Sequence, residues 1–312
     1  MSLLRRKAPP TAPAGRDARD PFDEAFLSQL ALLEVVARRM FRGRNRAERK
    51  TRKVGSGLEF ADHRDYTPGD DIRNLDWNVY MRLGQTLVRL FEEDEDLPIR
   101  IVVDASGSMG TSGGVKFEYA RKVAAALSYV GLANLDRVGI SCVRGAACET
   151  LPPVRGKGRI FRIFDFLRRI APEGPTDLRG ACARVAAEST EPGLVVVLSD
   201  FYDADGAFDA LNLLRFRRHE PVAVQILAPH EANPSPDRVR GDVTLLDAEG
   251  GVLRDVTLDD RAVARFAEAH ERFCRALERN ARTRGITYLR ASVAVPFDDL
   301  VLRLFRTGGI LR

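Results

Sequence analysis

Between residues 22 and 41 apolar side chains recur at Phe26, Leu30, Leu33, Val36 and Met40, in steps of four and three with polar residues between. A 3.6-residue period gathers those positions on one face, so the spacing predicts an amphipathic helix, with Asp20 ahead of Pro21 as its start signal. From residue 98 the pattern changes. IRIVVD is a continuous apolar run, as expected of a strand buried on both sides, and VKFEYARKVAAALSYVGLAN then turns Phe117, Ala120, Ala124, Leu127 and Val130 inward at helical steps. Strand and helix patterns go on alternating: strand DRVGISCV, helices GRIFRIFDFLRRIA and LRGACARVAAEST, strand GLVVVLSDF, helix AFDALNLLRFRRH and strand PVAVQILAP. DVTLLDAEGGVLRDVTL reads as a hairpin around Glu249, Gly250 and Gly251, to be placed at a sheet edge. A long helix with Val263, Phe266, Phe273 and Leu277 inward, the strand ITYLRA and a helix from about Pro296 complete the chain.

This alternation predicts an α/β fold, a doubly wound, mostly parallel sheet with helices on both faces, preceded by a helical and β-rich N-terminal segment. The expected division is a disordered tail over 1–21, a segment over 22–97 holding the first helix and a basic run, and the α/β domain over 98–312. Within the second segment QTLVRLF has strand composition, and the rest reads as turns held by charge pairs. Glu59, Arg64, Asp70, Asp71, Arg73 and Asp76 form either a buried network under Trp77 or a binding face. The buried network is favoured, because a loop-rich segment must satisfy its backbone polar groups. The acidic run Glu92 to Asp96 reads as a solvated connector.

Composition narrows the function classes. Of 312 residues 45% are hydrophobic and 30% charged, as in ordinary globular proteins, and a net charge of +5 permits acidic partners without demanding them. The run from Arg38 to Lys53 opposes nine cationic residues to one acid, Glu48. It is either a solvated basic helix end and loop or a nucleic-acid or anionic-surface patch; no aromatic residue follows Phe41 to stack on bases, which favours the first. No apolar stretch approaches the ~20 residues of a membrane helix. The first 21 residues lack the apolar core of a signal peptide, and Cys142, Cys148, Cys182 and Cys274 have no metal-binding spacing, so a cytoplasmic protein with reduced thiols is expected.

The candidate chemistry lies at strand ends. Asp104 closes the strand IRIVVD and is followed by Ser106 and Ser108; Asp200 closes LVVVLSD; Thr176 sits in the loop EGPTDL before a helix. In a doubly wound sheet these positions gather at the carboxyl edge, where ligands bind. Singly, each has a capping or turn explanation. Together they supply only oxygen, which suits a hard divalent ion such as Mg²⁺ or Mn²⁺ and leaves at least one coordination position for an outside acid. Enzyme signatures are missing. A phosphatase of the aspartyl-nucleophile kind needs a second acid where Ser106 stands, no G-x-S-x-G surrounds either serine, and VRGKGRI lacks the rest of a phosphate loop. His63, His219, His230 and His270 adjoin no nucleophile and read as surface or capping residues.

DASGSMG, GPTDL and VVVLSDF resemble the metal-ion-dependent adhesion site of von Willebrand factor A domains. GSGLEFADHRDYTPGDDIRNLDWN, LLDAEGGVLRDVTL and GITYLRASVAVPFDDLVLRLF are similar to the bacterial domain of unknown function 58 family, so the resemblance covers nearly everything after residue 22. It implies a von Willebrand factor A-like, non-enzymatic binding module, often encoded beside a MoxR-type AAA+ ATPase and acting with it or its client. By analogy Ser106, Ser108 and Thr176 touch the ion, Asp104 and Asp200 hold its waters or bind it, and a partner's Asp or Glu completes the shell. A DNA- or RNA-binding role through residues 38–53 and a metal-dependent hydrolase are the competing expectations. One departure stands out: Phe201 follows the last aspartate where extracellular domains usually have Gly.

Overall fold

The computed structural model describes residues 20–48, 50–54, 59–94, 98–145, 147–189, 191–202, 204–232, 241–246 and 253–307. The expected tail, apart from Asp20 and Pro21, lies outside these residues, as do the side chains of the basic run beyond Arg38. Helix α1 spans Glu24–Glu48. Asp23, not Asp20, caps it, because the acceptor must stand three residues ahead of the amide it satisfies: the Phe26 N–H donates to Asp23 Oδ1 at 2.9 Å, whereas Asp20 receives Phe22 N–H. Phe22, Phe26, Leu30, Leu33 and Ala37 are buried, with the Phe22 ring stacked on Phe164 at 4.6 Å.

Strands β1 (Lys50–Val54), β2 (Glu59–Asp65) and, after helix α2 (Trp77–Leu83), β3 (Leu87–Asp94) form an antiparallel sheet in the order β1-β3-β2. Most of the segment read as turns is therefore regular. The residues expected to be an acidic connector are strand as far as Asp94, in a register that sets Lys50 opposite Asp94 and Arg52 opposite Glu92.

The main sheet follows. It is built from β4 (Pro98–Asp104), helix α3 (Val115–Ala133), β5 (Arg137–Arg144), β6 (Ala147–Arg155), helices α4 (Ile160–Arg169) and α5 (Leu178–Glu188), and β7 (Leu194–Ser199). Helix α6 (Ala204–Phe216), β8 (Glu220–Leu227), the single turn α7 (Pro229–Ala232), β9 (Gly241–Leu246), β10 (Leu253–Leu258), α8 (Asp260–Thr283), β11 (Thr287–Ser292) and α9 (Phe297–Thr307) complete the chain. The sheet order is β11-β8-β7-β4-β5-β6, parallel throughout except for β6, which runs antiparallel to β5.

Ile99, Ile101 and Val103 of β4 join a core with α1, α3, α4 and α9, while Val102 joins a second core with α5, α6 and α8. Both faces are covered, which is why β4, β7 and β8 are dominated by apolar residues, broken only by Arg100 within β4 and Gln225 within β8. The α/β architecture expected from the alternation is the one found. Two details differ. β9 and β10 pair with each other as a separate two-stranded sheet instead of extending the main one, whose edge β11 takes, and the hairpin turn lies outside the described residues. In α8 the buried residues are Cys274, Leu277 and Ala281, all in its second half, so Phe266 is half-exposed and stacks on His270. The four cysteines are free thiols, and among the described residues no helix is long and apolar enough to cross a membrane.

Candidate functional site

β4 and β7 are adjacent parallel strands whose continuations diverge: β4 leads to α3 on one face, and β7 leads to α6 on the other. That divergence opens a crevice at their carboxyl ends, the usual ligand position in such a sheet. Asp104 ends β4 at one wall and Ser199–Asp200 ends β7 at the other.

A third loop is stitched to the first. The Gly107 N–H donates to Gly174 O at 2.7 Å, Glu173 N–H to Ala105 O at 2.9 Å and Gly145 N–H to Pro175 O at 2.6 Å. Gly110 allows this approach, since a Cβ there would lie 3.0 Å from Pro172 Cγ. The cap of α5 is Asp177, whose side chain accepts from Gly180 N–H, so Thr176 is not needed as that cap.

The polar side chains meet in a chain of contacts. Asp104 is fully buried; its Oδ1 accepts from Ser106 N–H at 2.9 Å, and its Oδ2 accepts from Ser199 Oγ at 2.5 Å and Thr176 Oγ1 at 3.2 Å. Ser106 Oγ and Ser108 Oγ are 3.1 Å apart. Burial, and then the charge of Asp200, push the Asp104 carboxyl up to about 6, against the lowering effect of the Ser199 and Ser106 hydrogen bonds. Asp104, Ser106, Ser108 and Thr176 are thus joined by hydrogen bonds, while Asp200, the neighbour of Ser199, lies close enough for its charge to act on Asp104 but directs its own carboxylate to other partners.

The backbone after β7 is strained. Phe201 has φ 59°, a left-handed conformation that disfavours any residue with a Cβ by ~1 kcal/mol or more. Its amide donates to Ser199 Oγ at 2.9 Å, and its ring is buried in the second core, so packing holds a turn that glycine would adopt without strain. That is the physical content of the departure at this position.

Sequence reasoning missed the charges around Asp200. Lys116 Nζ donates to Asp200 Oδ2 at 2.8 Å and to Glu231 Oε1 at 2.9 Å, and Gln225 Nε2 donates to the Asp200 carbonyl at 3.2 Å. A signal was present for Lys116. It heads the inward face of α3, four and eight residues before Ala120 and Ala124, where an unpaired lysine would not be tolerated. Glu231 carried no such periodic mark on its single turn. Of the histidines, His219 is buried and accepts from Gly193 N–H, His63 contacts Asp76, His270 contacts Tyr202, and the His230 side chain lies outside the described residues.

A family model described as "Protein of unknown function DUF58" matches residues 62–275. The chain belongs to the DUF58 family. An uncharacterized protein from Mycobacterium tuberculosis is 32% identical over 278 residues, covering 86% of this chain and 85% of its own. Among solved structures, the pilus adhesin SpaC from Lactobacillus rhamnosus GG is 12% identical, with 84% of this chain and 33% of SpaC covered at a TM-score of 0.41. The manganese-loaded Plasmodium vivax TRAP protein is 16% identical, with 42% of this chain and 57% of TRAP covered at a TM-score of 0.32. The DUF58 chain therefore spans about a third of one of these proteins and just over half of the other.

The donor set of this DUF58 member is compatible with a hard cation on its own terms. Two buried carboxylates, Asp200 and Glu231, share one buried ammonium, Lys116, and the buried Asp104 carboxyl lies within reach of the Asp200 charge, which leaves negative charge to be neutralised. Among the described residues no group of three or more His, Cys, Asp and Glu has metal-holding geometry, so an ion here would draw on the hydroxyls as well as on Asp104 and Asp200.

Proposed function

We propose that this chain is a non-enzymatic, divalent-cation-dependent protein-binding module of the cytoplasm. Asp104, Ser106, Ser108, Thr176 and Asp200 hold Mg²⁺ or Mn²⁺, and a carboxylate from a MoxR-type AAA+ ATPase or its client completes the shell. One observation supports the reading: Asp104, Ser106, Ser108 and Thr176, from two separate loops, are joined by hydrogen bonds at the end of β4, and burial first, then the charge of nearby Asp200, raise the Asp104 carboxyl above its ordinary range. A dication would relieve that repulsion, and hydroxyl oxygens are the complementary hard ligands. Thr176, Gly107 and Gly110 are partly exposed while Asp104 and Asp200 are buried, so an incoming acid approaches from the hydroxyl side. No group is assigned to proton transfer, since Ser106 stands where a phosphatase would place its second acid.

The test is capture of partners from extract of the source organism by immobilised protein, with Mg²⁺ against EDTA, repeated with Asp104→Ala. The expected outcome is an AAA+ ATPase or client retained only with Mg²⁺ and lost in the variant, with circular dichroism unchanged. Retention that ignores EDTA and falls steeply with salt would instead support the basic run as the working surface.

A further inference from the structure

Lys116 is among the largest side chains fully withdrawn from solvent, and it is an ammonium. An isolated ammonium in a protein interior loses its proton or its place. This one is held by two carboxylates, Asp200 Oδ2 at 2.8 Å and Glu231 Oε1 at 2.9 Å, that supply its counter-charge away from solvent. Its two partners are themselves fixed. Glu231 Oε2 accepts from Ala228 N–H at 2.8 Å, and the Asp200 side chain also accepts from Tyr202 N–H at 3.3 Å, while the Tyr202 ring lies 5.2 Å from Lys116 Nζ. One fixed positive charge thus occupies an oxygen of a carboxylate that belongs to the five-residue site, and it does so from a position no solvent screens.

We propose that Lys116 is a positioning residue that limits how tightly the site holds a divalent cation, by sharing Asp200 with the ion and repelling it; this rests on the reading of the site given above. Glu231 is the counterweight. By drawing part of the ammonium's interaction toward α7 it leaves Asp200 more available than a lone lysine would. The two residues therefore act with opposite signs, which a purely structural pair would not do.

Metal-stripped protein titrated with Mn²⁺ and followed by electron paramagnetic resonance reads this directly. Lys116→Met keeps the length and removes the charge; it is expected to bind Mn²⁺ about ten-fold more tightly, because unit charges a few ångströms apart interact strongly away from water. Glu231→Gln leaves the ammonium to Asp200 alone and is expected to bind a few-fold more weakly on the same argument. Melting midpoints in chelator fall for both variants, so the opposed affinities, not stability, carry the result. Wild type that binds, with Lys116→Met equal to it or weaker, overturns the role of Lys116 while leaving the site standing. Should Lys116→Met fail to fold, Glu231→Gln decides: weaker binding supports the role, and equal or tighter binding overturns it. Wild-type protein that binds no Mn²⁺, or binds it equally after Asp104→Ala, overturns the cation site itself and this inference with it.

Discussion

The folded chain holds two clusters of acids and bases in different surroundings. Around Asp200, the Lys116, Asp200 and Glu231 side chains are almost completely buried and pair across 84 and 115 residues of sequence. In the segment before β4 the pairs are closer in sequence and open to water: Arg64 grips both oxygens of Asp70 at 2.9 and 3.0 Å, Arg73 holds Asp71, and His63 contacts Asp76 at 3.0 Å. His63, Asp70 and Asp76 are only partly buried, and Arg64, Asp71 and Arg73 are exposed. Trp77, expected to cover this set, is 54% exposed and begins α2, where Asp76 spends one carboxylate oxygen on capping the Asn78 and Val79 amides. The same residue types therefore do different work. In the first cluster solvent exclusion turns charge into a determinant of the fold; in the second, charge shapes turns and water screens it.

The largest effect that could break this comparison is at Lys116. Lys116→Ala leaves Asp200 and Glu231 buried without their counter-charge and should lower unfolding free energy by ~3–5 kcal/mol in urea titrations under chelator. A loss within error would mean that the crevice is wetter than its burial indicates. An intermediate case sharpens it. Glu34 of α1 is largely buried and joins Lys157 Nζ and Arg38 Nη2, each at 2.7 Å. Burial alone would raise its carboxyl, but hydrogen bonds from Lys157 and Tyr129 and the charges of Lys157 and Arg38 hold it below its ordinary 4.5. Since the folded state binds that proton less readily than the unfolded chain, the contribution is present above pH 4.5 and is lost as pH falls through the lower folded value. Glu34→Gln should therefore cost roughly 1 kcal/mol at neutral pH, with the gap to wild type closing on acidification in parallel urea titrations. The smallest effect is at Arg64. Arg64→Ala should leave the denaturation midpoint unresolved from wild type, and a loss matching that of Lys116→Ala would erase the distinction between the clusters.

How far the chain could be read depended on range. The strands β4, β7 and β8 were legible because burial on both faces leaves few polar positions to disguise them, and α3 because Phe117, Ala120, Ala124, Leu127 and Val130 are all buried. Asp104, Ser106, Ser108, Thr176 and Asp200 were legible as a set because strand ends in such a sheet share one edge. β1, β2 and α2 were harder. The charged residues of β1 and β2 disfavour strand locally, and the pairing of β1 with β3, Lys50 opposite Asp94, links positions more than 40 residues apart. Phe201 likewise gave no local sign of a left-handed backbone, since only its burial makes that conformation tolerable.

The amino-acid order alone determined the α/β alternation, the amphipathic faces and the placing of oxygen-bearing side chains just beyond strand ends, because periodicity and residue chemistry are local properties written directly into the chain. Only the tertiary structure decided that Lys116 and Glu231 share the crevice with Asp200, that Asp104 loses its solvent and that Trp77 keeps much of its own. Those outcomes depend on which surfaces exclude water, and exclusion belongs to the packed assembly of elements rather than to any stretch of sequence.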